Sequence, residues 1–193
     1  AGLFYKVKAP PPRSPAPHHA VVILRQFQLP LGLYDLEPET LTFPDSPLPE
    51  YCPPEGAILL FPESRRPEKE WPGFSSLAAS LCEQFPERKV CWMGTGGGEF
   101  SGQKPTHENF ADLRGQVPLT SLPAVVKQSA VVVANDSGPM HLAAALGRPV
   151  VSLFGPTDPQ QYGPYPGFRP TNIAIHASEG VLGNIPVKGV GEI

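Results

Sequence analysis

Several protein classes are excluded by what this sequence lacks. Its longest apolar runs, residues 20–24 and 130–134 among them, are five residues long, against roughly 20 needed to cross a bilayer; neither a transmembrane span nor a signal peptide is expected. Cysteine is scarce. Cys52, Cys82 and Cys91 are odd in number and without CxxC spacing, which argues against a disulfide framework and a zinc site and suits a reducing cytoplasm. Neither sign of charge dominates: 15 Lys and Arg against 18 Asp and Glu leave a net charge of −3, too weak a field to hold a nucleic acid backbone. Walker, HExxH and GxSxG motifs are missing, and His18-His19 stands too isolated for a metal site.

Hydrophobic residues make up 40% of the 193 positions, enough for one sizeable core. Proline is abundant, with 27 residues, and it divides the chain. Residues 9–17 hold five prolines, which predicts an extended connector. Residues 18–29 read as a short helix ended by Pro30 and Gly32, and a second Pro-rich stretch covers 38–54. The opening residues 1–5 are strand-like and do not begin with Met, and 190–193 supply no natural closing element, so a piece of a longer protein is expected. Residues 1–54 are accordingly assigned to a Pro-rich interdomain segment and the remnant of an N-terminal domain, and 55–193 to a packed domain.

From residue 57 onward short apolar runs alternate with helical patterns, as in βαβ units with a parallel sheet. Strands are expected at 57–61, 89–93, 130–135, 150–154 and 172–176, and helices at 73–84, 119–128 and 139–146. The fold class is therefore α/β, a Rossmann-like parallel sheet with helices on both faces. Ligands of such sheets collect at the carboxyl ends of strands, which directs attention to the loops 62–72, 94–109, 136–141 and 155–166.

The most informative loop is Asn135-Asp136-Ser137-Gly138-Pro139-Met140-His141. Gly138 permits a sharp turn and Pro139 suits a first helical turn, so the helix begins at the strand end with its amides and positive dipole available to a phosphate. An ordinary capped helix, with Asp136 or Ser137 binding amides and His141 buried, explains the same residues. In the loop after the first strand, Arg65, Arg66 and Lys69 could bind a diphosphate, or form weak surface pairs with Glu63, Glu68 and Glu70. Trp71 reads as a packing anchor. Residues 94–98 fail the GxGxxG fingerprint, since Glu99 stands at its last glycine. Thr157 could donate to a bound sugar or phosphate.

Residues 57–166 resemble the C-terminal half of glycosyltransferase family 9, the heptosyltransferases and relatives. The likeness rests on Ser64-Arg65 through Lys69-Glu70-Trp71-Pro72, on Leu113-Arg114-Gly115, and on the run from Asn135 through Gly147 into Phe154-Gly155-Pro156-Thr157-Asp158-Pro159. It implies one domain of a two-domain GT-B enzyme with inverting transfer and no metal or other cofactor. By matched position, Ser64, Arg65 and Lys69 would contact the diphosphate and sugar side of a nucleotide-sugar donor. Asp136, Ser137, Gly138, Pro139 and Met140 would line it with His141 just behind, and Leu119 or Thr120 would lie beside the nucleobase.

The resemblance also implies an ADP-heptose-like donor and a lipopolysaccharide-type glycan acceptor, handled in the cytoplasm or at the cytoplasmic face of the inner membrane through peripheral association. The catalytic base would belong to the other domain, so this chain alone is expected to be nearly inactive. An acidic residue expected after the second strand is replaced near Gly96, and the family's tail helix is cut short near Val187. A non-catalytic Rossmann-like nucleotide-binding module is the alternative reading.

Overall fold

The computed structural model describes residues 19–25, 45, 47–97, 100, 102–165, 167 and 169–192. The expected strand at 1–5, the connector at 9–17 and parts of the helix at 18–29 and of the stretch at 38–54 lie outside them. A short helix α1, Ala20–Arg25, is present within the expected span.

Six parallel strands form one sheet: β1 (Ile58–Phe61), β2 (Val90–Trp92), β3 (Phe110–Asp112), β4 (Val131–Asn135), β5 (Val150–Phe154) and β6 (Asn172–His176), in the spatial order 3-2-1-4-5-6. This is the doubly wound arrangement in which the chain fills one half of the sheet, returns past β1 and fills the other. β1 and β4 are neighbours, with Phe61 opposite Ala134, but the segments leaving them diverge. Their carboxyl ends therefore flank a crevice. The central strands are buried, but for half-buried Val131 at the start of β4, because helices cover both faces, which is why they read as continuous apolar runs.

Two hydrophobic layers sandwich the sheet. On one face lies α2 (Phe74–Gln84), whose Phe74, Leu77, Ala78, Leu81 and Cys82 are buried. Their spacing of three, four, seven and eight residues is one helical stripe. The opposite face carries α3 (Leu122–Gln128) and α4 (Gly138–Ala145), through Val125, Val126, Met140, Ala143 and Ala144. Small alanines let α4 lie close to the sheet. It stops at Gly147, which has φ +70°; the amides of Gly147 and Arg148 bond back to the carbonyls of Ala144 and Ala143 at 3.1 and 2.9 Å, the paired closure that a left-handed residue permits.

Three elements depart from expectation. β3 was not anticipated: it is a three-residue edge strand whose residues are all half-buried, and Phe110-Ala111-Asp112 contains a single large apolar side chain. The four-residue α5 (Pro159–Tyr162) falls inside what reads as a loop; the Asp158 carboxylate caps it, accepting from the Gln160 amide at 2.8 Å. A short helix α6 (Val187–Gly191), outside the expected helices, lies where the resemblance implies a shortened tail helix, and it buries Val190 in the core layer that contains α2.

Among the described residues no helix is long and apolar enough to cross a membrane. All three cysteines are free thiols, and burial pushes the Cys91 thiol up to about 12.

Candidate functional site

The exits of β1 and β4 are tied together before any functional side chain is placed. Asn135, the last residue of β4, is fully buried and donates through Nδ2 to the Pro62 carbonyl at 2.9 Å, while its Oδ1 accepts from the Trp71 amide at 3.1 Å. Trp71 is buried in turn. Its Nε1 donates to the Ile185 carbonyl at 3.1 Å and its ring meets Phe74 edge-on at 5.3 Å. The loop from β1 is thus held at both ends, and a single turn of 3-10 helix, Pro67–Lys69, sits between them.

That turn delivers Lys69 across the crevice to Asp136, with Nζ 2.5 Å from Oδ2 and side chains only 14% and 8% exposed. Thr157, from the loop after β5, donates to the same Oδ2 at 2.7 Å. Three strand exits therefore converge on one carboxylate oxygen, and Oδ1 accepts no hydrogen bond among the described residues. Beside it, Ser137 does not cap α4; its hydroxyl donates to the Asn135 carbonyl at 3.1 Å. Gly138 is exposed, and a Cβ placed there would meet nothing within 4 Å. The head of α4, where backbone amides lack helical partners, thus opens on space beside a buried lysine.

The other expected residues distribute unevenly. Ser64 is half-buried, its amide donating to Glu70 Oε1 at 2.8 Å and its Oγ accepting from the Arg66 amide at 3.2 Å. Arg65 is exposed and without an ion pair among the described residues, whereas Arg66 forms the expected surface pair with Glu68 at 2.6 Å. Pro139 is half-buried in the first turn of α4. Met140 is fully buried in the core between α4 and the sheet, and its amide bonds to Ser137 O at 3.2 Å; its side chain serves packing and does not line the crevice. His141 is exposed by area, yet enough protein surrounds the ring for desolvation to lower its pKa, opposed by the charge of Asp136. Leu119 and Thr120 are exposed in the turn before α3, and Leu119 keeps 82% of its surface in solvent. No hydrogen bond joins either to the Lys69–Asp136 corner among the described residues.

The glycine-containing loop after β2 is held by Glu63, which was read as a partner for the neighbouring cations. Its Oε2 instead accepts from the Thr95 amide at 2.8 Å, the Thr95 hydroxyl at 3.1 Å and the Gly96 amide at 3.2 Å, and Oε1 lies 3.5 Å from Arg114. Gly94 must be glycine here: its φ is +153° and a Cβ would fall 2.5 Å from Glu63 Oε2. Arg114 forks onto Asp112 at 2.8 Å through both Nε and Nη2, and its guanidinium lies 5.0 Å from the Trp92 ring centroid.

The Arg114 fork holds the Asp112 carboxyl well below the usual carboxylate range, against the opposing effect of burial, with Lys104 adding to the shift. A depressed carboxylate contributes stability above its unfolded pKa and loses it as pH falls toward the folded one. Asp112→Asn should therefore cost about 1–2 kcal/mol near neutrality, and the gap to wild type should narrow below about pH 4. Urea melts at pH 7 and pH 3 check this; a gap equal at both would mean that ionisation of Asp112 contributes nothing to stability.

A doubly wound sheet with a lysine and an uncapped helix head at its switch point defines a Rossmann-like domain. The match to known proteins names the family. The model of glycosyltransferase family 9 (heptosyltransferase) matches residues 27–177, so the chain belongs to that family. It is 31% identical over 137 residues to lipooligosaccharide heptosyltransferase 2 of Haemophilus influenzae, covering 66% of this chain and 37% of the relative. Lipopolysaccharide heptosyltransferase 2 of Escherichia coli is 32% identical over 102 residues, 48% of this chain and 29% of the relative.

Among solved structures, E. coli heptosyltransferase WaaC with ADP superposes with a TM-score of 0.65 at 20% identity, over 92% of this chain and 56% of that one. E. coli ADP-heptose lipopolysaccharide heptosyltransferase II gives 0.56 at 26% identity, over 72% and 45%. The chain spans about a third of the length of these curated relatives and about half of the solved chains.

Proposed function

We propose that this chain is the donor-binding domain of a heptosyltransferase-like enzyme, with its domain boundary near residue 54. The whole protein would transfer a sugar from a nucleotide-diphosphate donor, of the ADP-heptose type, to a lipopolysaccharide-type glycan. The observation that carries the reading is the convergence of Lys69, Asp136 and the open head of α4 on one crevice. A diphosphate there meets a largely desolvated cation and a helix dipole end together. The relatives' names, which specify heptose transfer and ADP, support that donor class.

The chemistry follows from charge. When an acceptor hydroxyl displaces the nucleoside diphosphate at the anomeric carbon, negative charge grows on the departing phosphate. Lys69, turned from Asp136, and the α4 amides would stabilise it; an inverting, metal-independent transfer is what the family resemblance implies. Ser64 and Arg65 border the same loop and would approach the outer phosphate and sugar. Leu119 and Thr120, both exposed, would lie beside the base, and His141 would stand behind the helix head. The acceptor and the general base would come from the facing domain, with the enzyme working in the cytoplasm or on the inner face of the membrane.

Calorimetric titration of the full-length protein with ADP, UDP and GDP tests the reading. Saturable ADP binding, clearly tighter than UDP or GDP, is expected; binding of none of the three would remove its support. A protein that binds ADP yet transfers no sugar to any glycan acceptor would be the non-catalytic module.

A further inference from the structure

The geometry points to Thr157 as a positioning residue that releases Lys69 to the ligand, an inference that rests on the donor-site reading above. Lys69 and Thr157 donate to one oxygen of Asp136, at 2.5 and 2.7 Å, and the Asp136 side chain is only 8% exposed. A nearly buried carboxylate stripped of its donors is costly. If Lys69 were its sole partner, turning the ammonium toward a diphosphate would leave that carboxylate orphaned, and Asp136 would compete with the ligand for the lysine. The Thr157 hydroxyl removes the conflict: it keeps Oδ2 paired while Lys69 moves or shares its remaining protons.

Independent features hold Thr157 in place for this task. Two residues before it, Gly155 is packed so closely that a Cβ would fall 2.9 Å from Leu182 Cγ and 3.0 Å from the Gly180 carbonyl. On the other side, Asp158 is committed to capping α5 and is followed by Pro159. The backbone on both flanks is fixed, so the hydroxyl cannot drift from Asp136 without disturbing a packed turn or a helix cap. This differs from the direct contact with sugar or phosphate that the loop sequence alone suggests for Thr157: its only hydrogen bond among the described residues is to Asp136.

The test is ADP titration of the full-length protein as wild type, Thr157→Val and Thr157→Ser, each also in a Lys69→Met background, with thermal melts alongside. Thr157→Val should weaken ADP about tenfold, and Thr157→Ser should restore wild-type affinity. In the Lys69→Met background Thr157→Val should change ADP affinity no further, since its effect passes through the lysine. Wild-type affinity in Thr157→Val, or an equal loss with and without Lys69, would overturn the positioning role while leaving the donor site standing. Failure of the wild type to bind ADP would instead overturn the donor site, and this inference with it. Should the valine variant not fold, Thr157→Ala against Thr157→Ser decides: equal affinities overturn the proposal, and loss confined to alanine supports it.

Discussion

Lys69→Ala is expected to weaken ADP binding by roughly 10- to 100-fold, the range for removing a charged hydrogen-bond donor. It should also cost stability, because Asp136 loses the closer of its two partners and is left with Thr157 alone. The two losses can be pulled apart. Replacing a buried ion pair by neutral groups of similar volume is often tolerated, whereas removing one partner is not. Lys69→Met combined with Asp136→Asn should therefore recover most of the melting temperature lost in Lys69→Ala and none of the ADP affinity. If affinity returned together with stability, the lysine would be a structural strut and its part in ligand binding would be disproved.

Trp71→Ala is expected to have the largest effect on folding. The indole is 1% exposed, donates to the Ile185 carbonyl, and packs against Phe74. Removing a buried tryptophan leaves a cavity worth about 3–5 kcal/mol, on the order of 10 °C in melting temperature for a chain of this size. Neighbouring residues cannot easily refill it, since Gly73 is itself shaped by the ring: a Cβ there would lie 2.2 Å from Trp71 Cζ2. The same change frees the loop that carries Lys69, so ADP affinity should fall even where the protein remains folded. Thermal denaturation and ADP titration check both effects. A loss below about 1 kcal/mol would mean that the corner collapses around the vacancy or that Trp71 does not anchor it.

Much of the fold is legible in the sequence because a parallel sheet covered on both faces leaves an unambiguous trace. Val150-Val151-Ser152-Leu153-Phe154 and Val131-Val132-Val133-Ala134-Asn135 are strands wherever they are read, and the stripe from Phe74 to Cys82 can only face a core. β3 escapes notice because an edge strand of three half-buried residues carries almost no hydrophobic signal. α5 escapes because four residues show no period, and its one sequence signal is the cap: Asp158 followed by Pro159.

The site divides along similar lines. The turn at Gly138 and the helix beginning beside it follow from local chemistry, and so does the anchoring role of Trp71. The partner of Lys69 does not. Charges near it in sequence, Glu63, Glu68 and Glu70, suggest local pairing, but the true partner is 67 positions away and becomes adjacent only because β4 inserts beside β1. Glu63 is misread for the same reason: its targets, Thr95, Gly96 and Arg114, lie at the ends of neighbouring strands. Met140 stands within the most informative motif, yet the helical period turns its side chain into the core.

A crystal structure of the protein with ADP tests the central claim most directly. The β-phosphate should lie within hydrogen-bonding distance of Lys69 Nζ and of the amides at the head of α4, with Thr157 still donating to Asp136. A well-ordered diphosphate bound elsewhere, with Lys69 still closed on Asp136 and the head of α4 unoccupied by phosphate, would contradict it.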